Sequence, residues 1–377
     1  MTGRRWLTVC AAGLLAGGIV GPASGVAARP SAAACKNPKT QPRNVGAGKN
    51  RLTGVDVTSG CKAWAVGYFN QRGRVYRTLV EYWNGRAWKL QPSPSRGYLF
   101  AVSATSPSNA WAVGSHGRSL IEHWDGTSWM VEASPKVGTL DGVAATSPSN
   151  AWAVGRRAIL HWDGTSWTVQ PSPNPGPPSN RNLLEAVAAS SPTNAWAVGE
   201  HYDPLGGNYT TLIEHWDGTR WTIQASPNRK SSANYLKGVS ATSRTNAWAV
   251  GYSYEAVKRY RAVIEHWNGT AWTVEPSPNP GGPGHTNRLL GVAASSPTSA
   301  WAVGYYGTGK GHSRTFVLHW NGTAWTLQKT PSPGRSAILD AVAAASATNV
   351  WAVGSHRKKG AVDRALALRW NGTGWAP

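Results

Sequence analysis

"LDGVAATSPSNAWAVGRRAILHWDGTSWTVQPSP" (residues 140–173) decides how the whole chain is read. It opens on a short apolar run with small residues, "LDGVAA", and a turn cluster, "TSPSN", follows. "AWAVG" then alternates large and small side chains, and a three-residue loop leads to "ILHW", a second run of β-type residues. "DGTS" predicts a hairpin turn, because Asp and Gly tolerate the backbone angles such a turn needs. "WTVQPSP" reads as a last strand ended by proline, which cannot donate to a ladder. No part of the stretch has helical periodicity. Four short strands in about 45 residues, separated by turns, predict one blade of a β-propeller.

The same unit recurs along the chain. "WAVG" begins at Trp64, Trp111, Trp152, Trp196, Trp248, Trp301 and Trp351, seven copies spaced 41 to 53 residues apart. Each is followed by Trp-Asp/Asn-Gly and a further Trp: Trp83/Trp88, Trp124/Trp129, Trp162/Trp167, Trp216/Trp221, Trp267/Trp272, Trp320/Trp325 and Trp370/Trp375. Of the 22 tryptophans only Trp6 falls outside this pattern. The chain is therefore expected to be all-β, a seven-bladed β-propeller of four-stranded antiparallel blades. They start near residues 52, 99, 140, 184, 236, 289 and 338. Each buried Trp covers roughly 150–250 Å² of apolar surface, which accounts for the composition without any ligand.

"HWDGTSW" stands at 123–129 and again at 161–167, and its His, Trp and Asp look like chemistry. Catalysis needs one convergent site, whereas equivalent copies in a ring all point different ways. His123, His161, His215, His266 and His319 are therefore read as structural, bonded within the blade or to its neighbour. The first and last blades replace them with Tyr82 and Arg369, a freedom that a catalytic role does not allow. Asn268, Asn321 and Asn371 begin Asn-Gly-Thr triplets that occupy the same hairpin turn.

Trp-Ala-Val-Gly followed by His-Trp-Asp-Gly-Thr-x-Trp resembles a repeat of secreted actinobacterial β-propeller proteins, over about residues 36–377. The Asp-Gly-Thr-x-Trp turn is distantly similar to the Asp-box of sialidase-type propellers, with spacing that differs by one residue. The paired glycines of kelch blades are absent, as is a Tyr–Cys pair of the galactose oxidase kind. The resemblance implies a fold and an extracellular place, and no particular activity.

The N-terminus reads as a processed segment, residues 1–34. Arg4 and Arg5 precede an uncharged run to Val20 and then small residues, the layout of a secretory signal with a cut after Ala28 or near Ala34. Sec export is the reading adopted. The paired arginines also fit a twin-arginine route. The run is shorter than the roughly 20 residues of a spanning helix, so no transmembrane segment is expected. Export leaves Cys35 and Cys61, and a disulfide between them is the expectation. The last blade breaks off at Pro377, and "KTQPRN" (39–44) resembles its missing strand end. Residues 35–44 are thus expected to complete that blade, with Cys35 starting an outer strand.

Function is sought where blades differ. Turns between strands one and two, and three and four, are short and uniform. The loops between strands two and three, and between blades, vary in length and lie on the opposite face. That variable face carries most of the net charge of +21. A basic face attracts polyanions in a salt-dependent way. An anionic polysaccharide or wall polymer is the expected partner, with a protein as the alternative, for a monomeric chain at the cell surface. No nucleic-acid module is visible. The candidate ligand-binding residues are Tyr68, Arg72, Arg74, Tyr202, Tyr252, Tyr254, Arg259, Tyr305, Tyr306, Arg357 and Lys358. An alternative is a glycan-active enzyme. The innermost strands read Leu-x-Gly/Ala-Val, and x is Thr53, Phe100, Asp141, Glu185, Lys237, Leu290 and Asp340. These are expected to ring the channel mouth, with Asp141, Glu185, Asp340 and Lys237 as candidate acid–base groups. No metal-ligand spacing or cofactor motif is present.

Overall fold

Seven four-stranded antiparallel sheets stand around one axis, which makes the seven-bladed propeller that the repeat predicts. The computed structural model describes residues 35, 38, 40–58, 61–71, 75–156, 158–173, 175, 182–229, 233–256, 259–309 and 311–377, except for the side chains of Ala256 and Arg259. The expected signal segment, Arg72 and Arg74 lie outside the described residues. Among those described there is no helix, and so none long and apolar enough to cross a membrane.

Blade three shows the unit. From the axis outward it holds Leu140–Ser147, Asn150–Gly155, Ala158–Trp162 and Trp167–Gln170. The other inner strands are Asn50–Thr58, Tyr98–Ser106, Leu183–Ser191, Ala233–Ser243, Asn287–Ser296 and Ser336–Ser346. Inner and second strands join at the Ser-Pro-Ser-Asn turn, and third and fourth at the Asp-Gly-Thr turn. Both turns fall on one face, so the variable loops share the other.

The second strand is buried on both faces because a blade lies on either side of it. Its alternation of large and small residues follows from that. In blade three Trp152 and Val154 pack on blade four, where they meet Ala195 and Ala197. The Trp152 ring lies 5.0 Å from Trp216 and 5.1 Å, edge-on, from Trp221. Small residues on one blade thus receive large ones from its neighbour. The contact repeats around the circle and closes it: Trp351 of blade seven sits 5.1 Å from Trp83 and 4.9 Å from Trp88 of blade one.

The glycine of "WAVG" has a different cause. At Gly155 and Gly251 a Cβ would fall 2.0 and 1.9 Å from the carbonyl oxygens of Thr139, just before the inner strand of blade three, and Tyr235, on that of blade five. The inner strand crowds in because it bulges there. In blade five the pairing steps from Leu236 to Gly238 and leaves Lys237 unpaired. The skipped residue in the other blades is Thr53, Phe100, Asp141, Glu185, Leu290 or Asp340. A bulge re-aims one side chain, and here it turns each of the seven toward the channel.

The last blade has an outer strand of only two residues, Trp375–Ala376. Beside it, Gln41 exchanges hydrogen bonds with the backbone of Ala367 at 3.0 and 2.9 Å. Asn44 accepts from the Ala365 amide at 3.0 Å, as Asn279 does from Ala262 in blade five. Side-chain amides replace the ladder here, and no strand forms over 40–44. Cys35 is likewise outside any strand, contrary to the expectation that it starts one; its carbonyl accepts from Arg369 Nη1 at 2.7 Å. Cys35 is disulfide-bonded to Cys61, with Cα atoms 5.5 Å apart.

Candidate functional site

The repeated histidines are consumed by the fold. His123, His215 and His266 each place Nε2 2.8 Å from the side-chain oxygen of an asparagine in their own blade, Asn109, Asn194 and Asn246. His161 meets Asn150 at 2.8 Å and His319 meets Ser299 at 3.4 Å. Each ring also lies 4.0–4.2 Å from the Trp of the second strand. Burial lowers the pKa of all five, so the neutral ring is favoured. Tyr82 packs on Trp64, and Arg369 lies over Trp351 with Nη2 3.2 Å from Asn349. The Asp of the turn is equally committed: Asp125 Oδ1 accepts from Thr127 N, Thr127 Oγ1 and Ser128 N at 2.7–2.9 Å. Asn268, Asn321 and Asn371 accept the same three bonds.

What remains is the mouth of the channel. All seven bulge residues line it, around an open volume of about 150 Å³. The charged ones form two groups. On one side Lys237 Nζ lies 2.6 Å from Glu185 and 3.1 Å from the buried Glu200. Burial alone would depress the Lys237 pKa, but the two glutamates hold it above its ordinary value. Asp141 stands next in the ring, its pKa pushed up to about 7 by burial and then by the Glu185 charge. On the other side Asp340 is held by the Arg51 guanidinium, whose Nε donates at 2.9 Å.

Aromatic side chains gather beside both groups. Tyr68, Tyr76 and Tyr98 form a triangle with ring centroids 4.8–5.5 Å apart, and Phe100 stacks on Tyr98 at 6.0 Å. A longer arc crosses blades four and five: Tyr202, Tyr209, Tyr235, Tyr252 and Tyr260 follow one another at 5.2–5.7 Å, and Tyr254 joins Tyr260 at 5.1 Å. Arg288 of blade six continues the arc, 3.7 Å over Tyr260, 4.6 Å over Tyr252 and 6.0 Å from Tyr305.

Of the residues proposed from sequence, Tyr202, Tyr252, Tyr254 and Tyr305 therefore belong to one arc, and Tyr68 to the other cluster. Tyr306 packs on Phe316 against the blade core instead. Adjacent residues of a strand face opposite ways, which is why Tyr305 and Tyr306 part company. Arg357 is exposed, with Asp363 3.8 Å away, and Lys358 is exposed beside it. Arg259 lies on the third strand of blade five.

Two features escaped the sequence reading. Arg288 is not among the candidates read from the sequence. A set of buried carboxyls was overlooked as well: Glu122, Glu214 and Glu265 accept from Ser93, Ser172 and Ser226 of the preceding blade's last segment, at 2.8–2.9 Å. Glu81 accepts from the Arg43 amide at 3.0 Å. Burial pushes Glu81 and Glu214 up to about 7 and Glu265 up to about 8. The sequence signal was there, a Glu two residues before the Trp of the third strand, with Leu160, Leu318 and Leu368 in its place in three blades.

No family model matches the chain, and no curated protein matches its sequence. Solved propellers match its shape. The structure of YCF48 from Cyanidioschyzon merolae is 17% identical with a TM-score of 0.56, over 88% of this chain and 98% of that one. The structure of U3-55K is 10% identical with a TM-score of 0.56, over 85% and 95%. The WD40 repeats of RRP9 are 10% identical with a TM-score of 0.56, over 85% and 94%. At these identities the likeness is one of fold.

Proposed function

We propose that this chain is an exported binding propeller whose variable face contacts an anionic glycan or wall polymer. The observation that carries this reading is a division of labour within each blade. The repeated Trp, His and Asp residues are spent on packing and turns, while unrepeated aromatics and cations collect on one face over blades four to six. Aromatic faces offer flat apolar contact, and the surrounding arginines supply the charge. The signal-like N-terminus, the Cys35–Cys61 disulfide and the resemblance to secreted actinobacterial repeats support export. An array of glycans and wall polymers probed at two salt concentrations tests the reading. Binding to acidic members that weakens as salt rises is the expected result, and equal binding to neutral members contradicts it.

One observation favours a second reading, a glycan-active enzyme. Asp141, holding its proton up to about pH 7 beside Glu185, has the pattern of a paired acid and base. Against it, Glu185 is engaged by Lys237 at 2.6 Å. Loss of turnover with retained binding in Asp141→Asn and Glu185→Gln would favour the enzyme.

A further inference from the structure

Arg51 and Arg288 occupy the same place in their blades. Each stands two residues before the bulge residue, directly before the repeated leucine, and each pairs across the strand with a tyrosine, Tyr68 or Tyr305. Their surroundings differ in one respect. Arg51 reaches the bulge residue of the preceding blade, Asp340, and forms an ion pair with it. The corresponding residue preceding Arg288 is Lys237, a cation already held by Glu185 and Glu200. Among the described residues Arg288 has no carboxylate partner, and its Nε is buried without a hydrogen bond. Tyrosine rings stand where the counter-ion would be.

A guanidinium carries its N–H donors in its own plane. Rings over its face stabilise the charge and fix its orientation, and the donors at the edge stay available for a planar acceptor. Tyr305, whose ring lies 6.0 Å from the guanidinium, also lines a cavity of about 330 Å³, within the size range of small-molecule sites. Among the described residues the rest of its wall is His285, Thr286, His312, Ser313 and four glycines. The wall offers hydroxyls, imidazoles and a ring face, with no carboxylate among the described lining residues. Thr286 also bridges to the backbone of Tyr260, so cavity and guanidinium are joined by one piece of chain.

We infer that Arg288 and the adjoining cavity form a subsite for one carboxylate-bearing sugar, a hexuronate, whose carboxylate pairs with the guanidinium while the hydroxyl-rich ring occupies the cavity. The inference rests on the proposed glycan-binding function and gives it a place and a monomer class. The carboxylate completes the ion pair that Asp340 completes for Arg51. A phosphodiester also presents two oxygens to the guanidinium fork; the cavity that shares Tyr305, lined by hydroxyls and imidazoles and sized for a sugar ring, favours the hexuronate over the open polyol chain of a teichoic-type polymer.

Titration calorimetry on the chain from Cys35 onward, carrying its disulfide, tests this with trigalacturonate as probe. Arg288→Gln should weaken binding by about tenfold or more, the size expected for a lost charge-assisted bond. Arg118→Gln, an exposed cation of the same face, removes the same charge and should leave binding within about twofold. Arg288→Lys keeps the charge and loses the fork, so it should still bind more weakly than wild type. Methyl-esterified trigalacturonate should lose affinity as Arg288→Gln does. Equal effects of Arg288→Gln and Arg118→Gln, or unchanged binding of the methyl ester, overturn the subsite while leaving a glycan-binding face. Binding of polyglycerol phosphate but not trigalacturonate overturns the uronate assignment. Failure of the wild type to bind any acidic glycan or wall polymer overturns the proposed function itself.

Discussion

The two ends of each second strand obey different rules. At the "WAVG" end every side chain is enclosed between blades, and the same letters recur seven times because the same space recurs seven times. Beyond the glycine the strand runs out to the variable face, and the letters part: Tyr68 and Phe69 in blade one, Glu200 and His201 in blade four, Tyr252 and Ser253 in blade five. Packing fixes the first half. Nothing in the ring geometry fixes the second, so its residues are free to serve a ligand. The difference teaches where in a repeat protein to look for function: at the point where the repeat stops repeating.

The comparison is sharpest where packing is removed. Trp351→Ala should cost about 3–5 kcal/mol in chemical unfolding, because this ring joins the last blade to the first. A truncation on the variable face, Tyr254→Ala, should cost much less, since that ring is only partly buried. Equal losses would erase the distinction between the two halves.

A smaller effect is expected from Gly251→Ala. The new Cβ would meet the Tyr235 carbonyl, so the bulge that aims Lys237 at the channel has to shift. Overpacking of this kind costs about 1–3 kcal/mol. Thermal unfolding measures it, and the crystal structure of the variant should show Lys237 displaced from Glu200.

The buried glutamates make stability depend on pH. Their folded pKa values lie above the ordinary carboxylate value, about 7 for Glu214 and about 8 for Glu265. The folded state therefore binds more protons than the unfolded chain between the ordinary value and these. Their contribution is complete below the ordinary carboxylate value and is lost as pH rises from there up to about 7 to 8. Glu265→Gln cannot ionise, so its stability relative to wild type should increase over that interval. A pH-independent difference between the two proteins would show that Glu265 does not titrate there.

The smallest change is expected at a histidine. His161→Phe keeps a ring against Trp152 and loses the bond to Asn150, worth about 1 kcal/mol. Ligand binding on the opposite face should be untouched, and a binding defect in this variant would return the repeated histidines to the functional account.

How much of this was legible beforehand follows from the reach of each cause. Strands, turns and the ring itself are set by spacing within one blade, and Trp, Gly and Pro announce them. The channel-mouth positions were legible too, because Leu-x-Gly/Ala-Val marks x in every blade; that x is a bulge was not, since pairing with the second strand decides it. Arg288 was invisible as a site because its meaning lies in three tyrosines of two blades and in the absence of an aspartate that Arg51 has. The Glu–Ser contacts were missed for the same reason, as each serine belongs to the preceding blade.

The central claim is that contact is made by the face where blades differ. Hydrogen exchange of backbone amides with and without bound trigalacturonate tests it directly. Protection is expected in the loops between second and third strands and between blades, foremost around residues 282–288 and 305–313 of blade six. Protection at the Asp-Gly-Thr turns near Asp125, Asp163 and Asp217, on the opposite side of the ring, would contradict it.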